Sequence, residues 1–392
     1  MDRYAAERIQ PFGTSVFTEM TRLSIEHQAI NLGQGFPDFA GPDFVKEAAK
    51  AAIDADLNQY APSHGIPRLR AAIAAMFEAR TGISVDVDRG ITVTSGATEC
   101  IYDCIQAFLD PGDEIIFFEP FYDSYYASSV MAGAVPRPIR LHAPDWHFDP
   151  DLLRAAFTSR TKLLLLNTPH NPTGKVFNRA ELEVIAALCI EHDVIVLADE
   201  VYDRIVFDDA EHVSIATLPG MWERTLTINS TAKTFSMTGW KIGYAVGPAN
   251  LNAALRTVHQ FVTFASQTPF QDAMASAIES ADARGYYDEL ARDYTRRRDA
   301  MRSAIEGGGF TVLPAGGAFF LMADPGGRSF DRDMDFCFWL IREAGVTTVP
   351  PSAFYAQPND APVLARFCFA KKDETIAAAA DRLSKLMTAT SG

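Results

Sequence analysis

Residues 227–243 read TINSTAKTFSMTGWKIG, which sets Lys233 three positions beyond the apolar run LTINS and a second lysine, Lys241, eight positions further on. Most lysines are exposed, so Lys233 taken alone reads as readily as a surface residue. At a strand end an amine can instead be desolvated. Its pKa then falls and it becomes a nucleophile that can form a Schiff base with a carbonyl. Ser230 and Thr231 would add hydroxyls and Lys241 a cation. That set suits an anionic phosphate lying beside an aldehyde.

Asp199 ends the apolar run in VIVLADEVYDRIVF. It reads either as a cap or loop carboxylate or as the partner of a pyridine nitrogen, whose proton an ionised carboxylate retains so that the ring can accept electrons. An aldehyde, a phosphate and a pyridine ring together suggest pyridoxal phosphate. Tyr202, three residues on, can reach the same pocket and bond the ring's phenolic oxygen. Asn171, in LLLLNTPHNPTGKVF, is a turn former after a strand or a second donor to that oxygen; His170 reads as a loop residue. VTSGATE at 93–99 leaves a strand directly into a helix, where small residues let backbone N–H groups approach an anion. It lacks the Gly-Lys-Ser/Thr of a P-loop. GQG at 33–35 is followed by FPDF rather than a helix, so it is no dinucleotide fingerprint. In EPFYDSYY, Phe121 or Tyr122 could stack on a planar ring or belong to the core. Arg366 stands inside an apolar run, LARFCFAKK. A buried guanidinium needs a partner. With no acidic neighbour in sequence, a substrate carboxylate held in a bidentate clamp is favoured over a protein carboxylate.

These side chains need a scaffold that brings strand ends together. The chain has 392 residues, long for one core, so two domains are expected. Seven short apolar runs (ITVTS, EIIFF, VPRPIRL, KLLLLN, VIVLAD, LTINS and IGYAV) alternate largely with amphipathic helices. Continuous apolar strands between helices predict an α/β fold with a mostly parallel seven-stranded sheet covered on both faces. Such sheets bind ligands at the carboxyl ends of their strands, which is where the motifs fall. A long charged helix at 284–306 leads into AFFLMA, VTTVP, ARFCFA and a last helix at 373–386, a smaller α+β lobe. The N-terminal helix-like SVFTEMTRLSIEH and AINLGQG have no sheet of their own and are assigned to that lobe. The expected division is a large domain at 41–283 and a small domain formed by 1–40 and 284–392.

Thirty-five basic against fifty acidic side chains give a net charge of −15. That sign repels nucleic acid and anionic membranes. The one basic run, Arg296–Arg298, reads as a solvated helix face. Of the five cysteines, Cys100 and Cys104 are spaced i, i+4 in an apolar helix without a nearby histidine. A metal site would want more ligands, so no metal is expected and the thiols read as buried and free. No leader-like segment and no membrane-length apolar run is present, pointing to a cytoplasmic protein.

In this order the motifs closely resemble class I pyridoxal-phosphate aminotransferases of fold type I, from NLGQGFPDF at 31–39 to RFCFAKK at 366–372. The chain is most similar to the branch holding kynurenine/glutamine aminotransferases, bacterial methionine aminotransferases and some N-succinyldiaminopimelate aminotransferases. The strings are NQYAPSHG, EPFYDSY, NTPHNPTGKVF, DEVYDRIVF, GMWERTLTINSTAKTFSMTGWKIG and HQFVTFASQTPFQ. The resemblance implies pyridoxal 5′-phosphate bound covalently at Lys233, its phosphate held by Ser230, Lys241 and the turn Ser95, Gly96, Ala97. It implies Asp199 at the ring nitrogen, Tyr202 and Asn171 at the phenolic oxygen, and Tyr122 stacked on the ring. Arg366 would hold the α-carboxylate, beside Gly35 and Asn171, with Phe17 over the substrate side chain. Tyr60 would reach the phosphate of a neighbouring subunit and Phe264 its pocket, implying a homodimer with shared active sites. Animal kynurenine enzymes resembling this chain carry tyrosine where Ala97 stands and histidine where Ala265 stands, so a different, roomier pocket is expected. The implied activity is ping-pong transfer from an amino acid to a 2-oxo acid. The donor order is methionine and aromatic amino acids including kynurenine, then glutamine, then succinylated diaminopimelate. A carbon–sulfur β-lyase would use the same residues. A ligand-sensing domain would want a preceding DNA-reading segment, and none is seen.

Overall fold

The computed structural model describes residues 4–389. Its largest sheet is built from β1 (Ile91–Thr94), β2 (Glu114–Glu119), β3 (Val135–Arg140), β4 (Thr161–Asn167), β5 (Ile195–Asp199), β6 (Thr225–Ser230) and β7 (Gly243–Val246). They lie in the order β1-β7-β6-β5-β4-β2-β3. All run in one direction except β7, which is antiparallel to both of its neighbours. The sheet is therefore the expected mostly parallel one of seven strands.

Alternation explains why apolar runs were the right signal. Ile115, Phe117, Leu163, Leu165, Leu197 and Leu226 turn to one face, against Cys100, Ile101, Cys104 and Ile105 of the helix Ala97–Phe108. Ile116, Phe118, Leu164, Leu166 and Val196 turn to the other, against Leu182, Ile185 and Leu188 of the helix Arg179–Glu191. Since successive side chains point to opposite faces, a strand covered on both sides must be apolar throughout. The helix Arg179–Glu191 starts where Asn178 caps the Glu181 N–H and the Glu181 side chain returns the bond, satisfying donors the first turn leaves open. All five cysteines are buried and free.

The two chain ends meet. Ile30–Asn31 pairs in parallel with Val346–Thr347, and a three-stranded antiparallel sheet sets Phe320–Asp324 between Thr311–Val312 and Ala365–Cys368. One apolar cluster joins Met20 and Leu32 to Leu290, Met301, Phe336, Phe367 and Leu383. On this packing we propose the division into 41–283 and 1–40 with 284–392; residues 1–3 and 390–392 lie outside the described ones. The charged helix runs over Tyr286–Gly307, and its basic run departs from expectation. Arg296 is exposed, but Arg298 is 5% exposed and forks onto Asp208 at 2.6 and 3.0 Å. A partner ninety residues away in sequence was invisible in the helical pattern. Among the described residues, no helix is long and apolar enough to cross a membrane.

Candidate active site

Strands β1, β4, β5 and β6 release their carboxyl ends at one edge of the sheet, and antiparallel β7 begins at that same edge. There Gly243 pairs with both Thr94 and Ser230. Lys241, two residues before β7, and Lys233, three beyond β6, thus reach one place from opposite chain directions. A side chain on Gly243 would put its Cβ 2.4 Å from the backbone of Gly96, so only glycine lets the turn after β1 lie on β7. Gly96 itself has φ +83°, a conformation that favours glycine, and a Cβ there would meet Lys241 Nζ at 2.9 Å.

A cavity of about 330 Å³ opens at this edge. One end is made by Gly96, Ala97 and Thr98 at the start of the helix Ala97–Phe108, with Ser230 and Lys241. The Gly96 N–H is given to the Thr94 carbonyl at 2.8 Å, but the first-turn N–H groups of the helix and its positive end meet an ammonium there, which suits an anion. Ser95 does not line the cavity. Its N–H is given to the Glu99 carboxylate, a close contact, and Thr98 stands in the lining instead. Ser230 accepts from the Ala232 N–H and donates to the Ile242 carbonyl.

Lys233 lies in the middle, its Nζ 3.4 Å from the Gly35 carbonyl and 5.7 Å from the Tyr202 ring. Burial pulls its amine down to about 8, although Cys368 and Asp199 push the other way. Asp199 closes the floor. Its carboxylate accepts from Tyr125 Oη at 2.5 Å and from the Val201 N–H at 3.3 Å. Burial raises it to about 6, because neutral donors only partly offset lost solvation. Tyr122 and Tyr202 both line the cavity, and burial raises both phenols.

At the far end stands Arg366, 1% exposed. Nη1 donates to Asn171 Oδ1 at 2.9 Å and Nη2 to the Gly33 carbonyl at 2.8 Å, while the buried Nε has no partner. Among the described residues no carboxylate lies within ion-pair distance of it. Burial pushes even this guanidinium down to about 10. Phe320 and Phe17 carry ring centroids 4.2 and 5.4 Å from its carbon. Gly35 lines the cavity beside them.

Two sequence candidates sit elsewhere. Tyr60 is 85% and Phe264 48% exposed, packed edge to face at 5.3 Å outside the cavity of their own chain. His170 is buried and held by Thr173 at 2.7 Å, and burial drives its imidazole to about 3, hence neutral. Sequence reasoning missed Tyr125, Asn167, Gln34, Phe36 and Thr98, all in the lining. Tyr125 had a usable signal, being one helical turn beyond Tyr122; Asn167, a polar residue closing an apolar strand, had another.

The class I and II aminotransferase family model matches residues 27–383. The chain is 40% identical over 379 residues to a methionine aminotransferase of Escherichia coli, covering 97% of each. It is 39% identical over 411 residues to kynurenine–oxoglutarate transaminase 1 of Homo sapiens, covering 97% of each. A solved N-succinyldiaminopimelate aminotransferase of Mycobacterium tuberculosis superposes with a TM-score of 0.92 at 41% identity, covering 97% of this chain and all of that one.

Proposed function

The chain belongs to the class I and II aminotransferases, and on that premise we propose that it takes pyridoxal phosphate as cofactor and moves the amino group of an apolar, aromatic or sulfur-containing L-amino acid to a 2-oxo acid. The donor set fits that group. Gly96–Thr98, Ser230 and Lys241 would hold a phosphate, Asp199 a protonated ring nitrogen, and Tyr202 and the amide of Asn171 the phenolic oxygen, with Tyr122 against the ring. The cradle at Gly96, which a Cβ would fill, and the four-way convergence of strand ends support this. Bound pyridoxal phosphate supplies an aldehyde for the amino group and an electron-accepting ring.

The chain's own residues do the rest. Arg366 binds the donor's carboxylate, and Asn171 and Gly33 fix the plane of the guanidinium so that binding orients Cα. Lys233, its amine lowered to about 8 by burial, takes the proton from the donor's Cα and in the acceptor half delivers one to the acceptor's Cα. Asp199, dry and oriented by Tyr125, would keep a proton on the ring nitrogen. Phe17 and Phe320 keep water from the Arg366 end. A donor half and an acceptor half sharing one site give ping-pong kinetics.

The observation that carries the reading is Arg366: a buried cation with neutral partners and an unpartnered Nε asks for a carboxylate. The side-chain end of the cavity supports the donor class. Its walls include Phe17, Phe36, Ile101 and Phe320, small Ala97 leaves room, and the lining's cations are Lys233, Lys241 and Arg366, each already in use. Among the described residues no further cation lines the cavity to take a distal carboxylate. The outward Tyr60–Phe264 pair supports a homodimer with shared sites, and five free buried thiols suit a cytoplasmic setting.

The test adds single amino donors to the cofactor-loaded protein without any oxo acid and follows the bound cofactor's visible absorbance. Methionine, phenylalanine and kynurenine should bleach it rapidly, aspartate and N-succinyldiaminopimelate slowly. Bleaching by the succinylated donor alone would overturn the donor class, and pyruvate with thiol from a cysteine conjugate would mark β-lyase chemistry.

A further inference from the structure

The helix that presents the phosphate turn carries a second charged cluster beneath it. Glu99, in its first turn, accepts the Ser95 N–H through Oε2 and faces His259 Nδ1 at 2.7 Å through Oε1. Asp103, one turn on and fully buried, has Oδ2 3.6 Å from the same Nδ1 and no hydrogen-bond partner for either oxygen. On its other side, His259 Nε2 lies 2.7 Å from the Ser63 carbonyl. An imidazole whose two nitrogens both face oxygen acceptors is a double donor, and so a cation. Burial alone would neutralise it, but the Asp103 and Glu99 carboxylates outweigh burial and hold it up to about 10. These are also metal-ligating side chains, but a ring that donates from both nitrogens has no lone pair left to give an ion.

His259 is fixed at both ends of its own residue. Its carbonyl accepts the Thr263 and Phe264 N–H groups, closing the helix Ala249–Val262 and setting Phe264 at φ +72°. Phe264 holds Tyr60, and Gln59 is tied to Thr268 at 2.6 Å. One histidine therefore joins three segments: the turn at Gly96–Thr98, the loop of Tyr60 and Ser63, and the exposed edge at 261–264, where Phe261 is 81% exposed.

We infer that Glu99 and His259 are positioning residues that tie the phosphate turn of one subunit to the Tyr60–Phe264 edge it offers to the next, so that phosphate binding and subunit association are linked. The inference rests on the phosphate site and dimer proposed above. Glu99→Gln is the sharpest variant. Ser95 and the His259 ring bond different oxygens of Glu99, and a glutamine of the same shape puts an NH2 donor in place of one of them, so one of the two bonds is lost. His259→Asn is the second.

With the full chain freed of cofactor, affinities for pyridoxal phosphate and for pyridoxal are compared, and subunit dissociation is followed by sedimentation with and without inorganic phosphate. In the unsubstituted protein, phosphate should tighten the dimer, and by linkage the dimer should bind phosphate more tightly by the same factor. Each variant should lose about tenfold or more in affinity for pyridoxal phosphate, the scale of one charge-assisted hydrogen bond. Pyridoxal binding should be unchanged and the effect of phosphate on dissociation abolished. Variants that keep the preference for the phosphorylated form and the linkage overturn the inference, as does equal loss for both aldehydes, the mark of a merely structural role. If His259→Asn does not fold, Glu99→Gln decides alone. An unsubstituted protein that does not prefer the phosphorylated aldehyde would instead overturn the site assignment itself.

Discussion

Glu114 and Asp199 are two buried carboxylates at opposite edges of the seven-stranded sheet, and their surroundings differ in kind. Glu114 opens β2 at the amino edge. Arg137, Arg160 and the Thr158 hydroxyl donate to it at 2.7, 2.8 and 2.6 Å. Burial would raise its pKa, but these donors win and hold it near 2. Asp199 ends β5 at the carboxyl edge with only neutral donors, and rises to about 6. The same contrast separates two buried arginines: Arg298 is matched by Asp208, while Arg366 has an amide and a carbonyl. At Glu114 and Arg298 charge is compensated within the chain. At Asp199 and Arg366 it is left open for ligands, in a protein whose net charge is strongly negative but whose cavity is lined, among the described residues, by three cations and one carboxylate. Perturbed groups that cluster in a cleft mark function, whereas perturbed groups with full partners mark structure.

Substitutions at the open edge should cost activity. Lys233→Ala should lower turnover by about four orders of magnitude or more, the loss expected when a central catalytic group is removed; steady-state rates that stay near the original would sink the assignment. Arg366→Lys should lower kcat/KM by roughly a hundredfold, mostly through KM, because a point charge cannot reproduce a fixed two-pronged clamp. An unchanged KM for amino-acid donors would mean that Arg366 serves the fold.

The sharpest form of the comparison is a pair of isosteric changes measured by denaturation of the cofactor-free protein at pH 7. Asp199 has a folded pKa above its ordinary 3.8, so its ionised form strains the fold above about pH 6 and the strain is relieved as pH falls from there toward 3.8. Asp199→Asn should therefore stabilise, by about 1–3 kcal/mol, while lowering turnover. Glu114 has a folded pKa below its ordinary 4.5. Its contribution is complete above that value and is lost as pH falls through about 2, so Glu114→Gln should destabilise by about 1–3 kcal/mol at pH 7. Equal signs for the two variants would erase the distinction between the edges. The smallest effect is one of profile: the rate at which the cofactor-free protein captures pyridoxal phosphate should rise with pH to half its limit near 8, where half of Lys233 is neutral, rather than near 10.5.

Much of the architecture was legible. The seven runs named from apolar continuity are the seven strands observed: six are almost wholly buried, since a strand covered on both faces has no polar side to confuse the reading, while Val135–Arg140 is the half-exposed edge strand. The pairing of the N-terminal segment with Val346–Thr347 was expected only as membership of the second lobe; a two-residue strand has too little pattern to give a register. At the site, Lys233, Asp199, Asn171, Tyr122 and Arg366 stood out because each breaks or follows an apolar run, and the cavity gathers them. Ser95 was grouped with Gly96 and Ala97 because the motif was read as one string, yet Glu99 takes its N–H. Arg298 was read as exposed because its helix is charged, yet Asp208 receives it.

By itself the sequence determined which motifs share an edge. In a parallel sheet every strand delivers its last residues to the same side, so local order along the chain becomes neighbourhood in space, and the glycines at 96 and 243 allow the closest approach. What only the tertiary structure decided is how each charge is met. Tyr125 with Asp199, Asn171 with Arg366, and His259 with Glu99 lie 74, 195 and 160 positions apart. Desolvation, which moves Lys233 to about 8 and Asp199 to about 6, belongs to the enclosed cavity and to no single segment. Interaction of a charge with solvent and with distant partners is a property of the packed chain, so the chemistry's residue types can be read in one dimension and their readiness to react only in three.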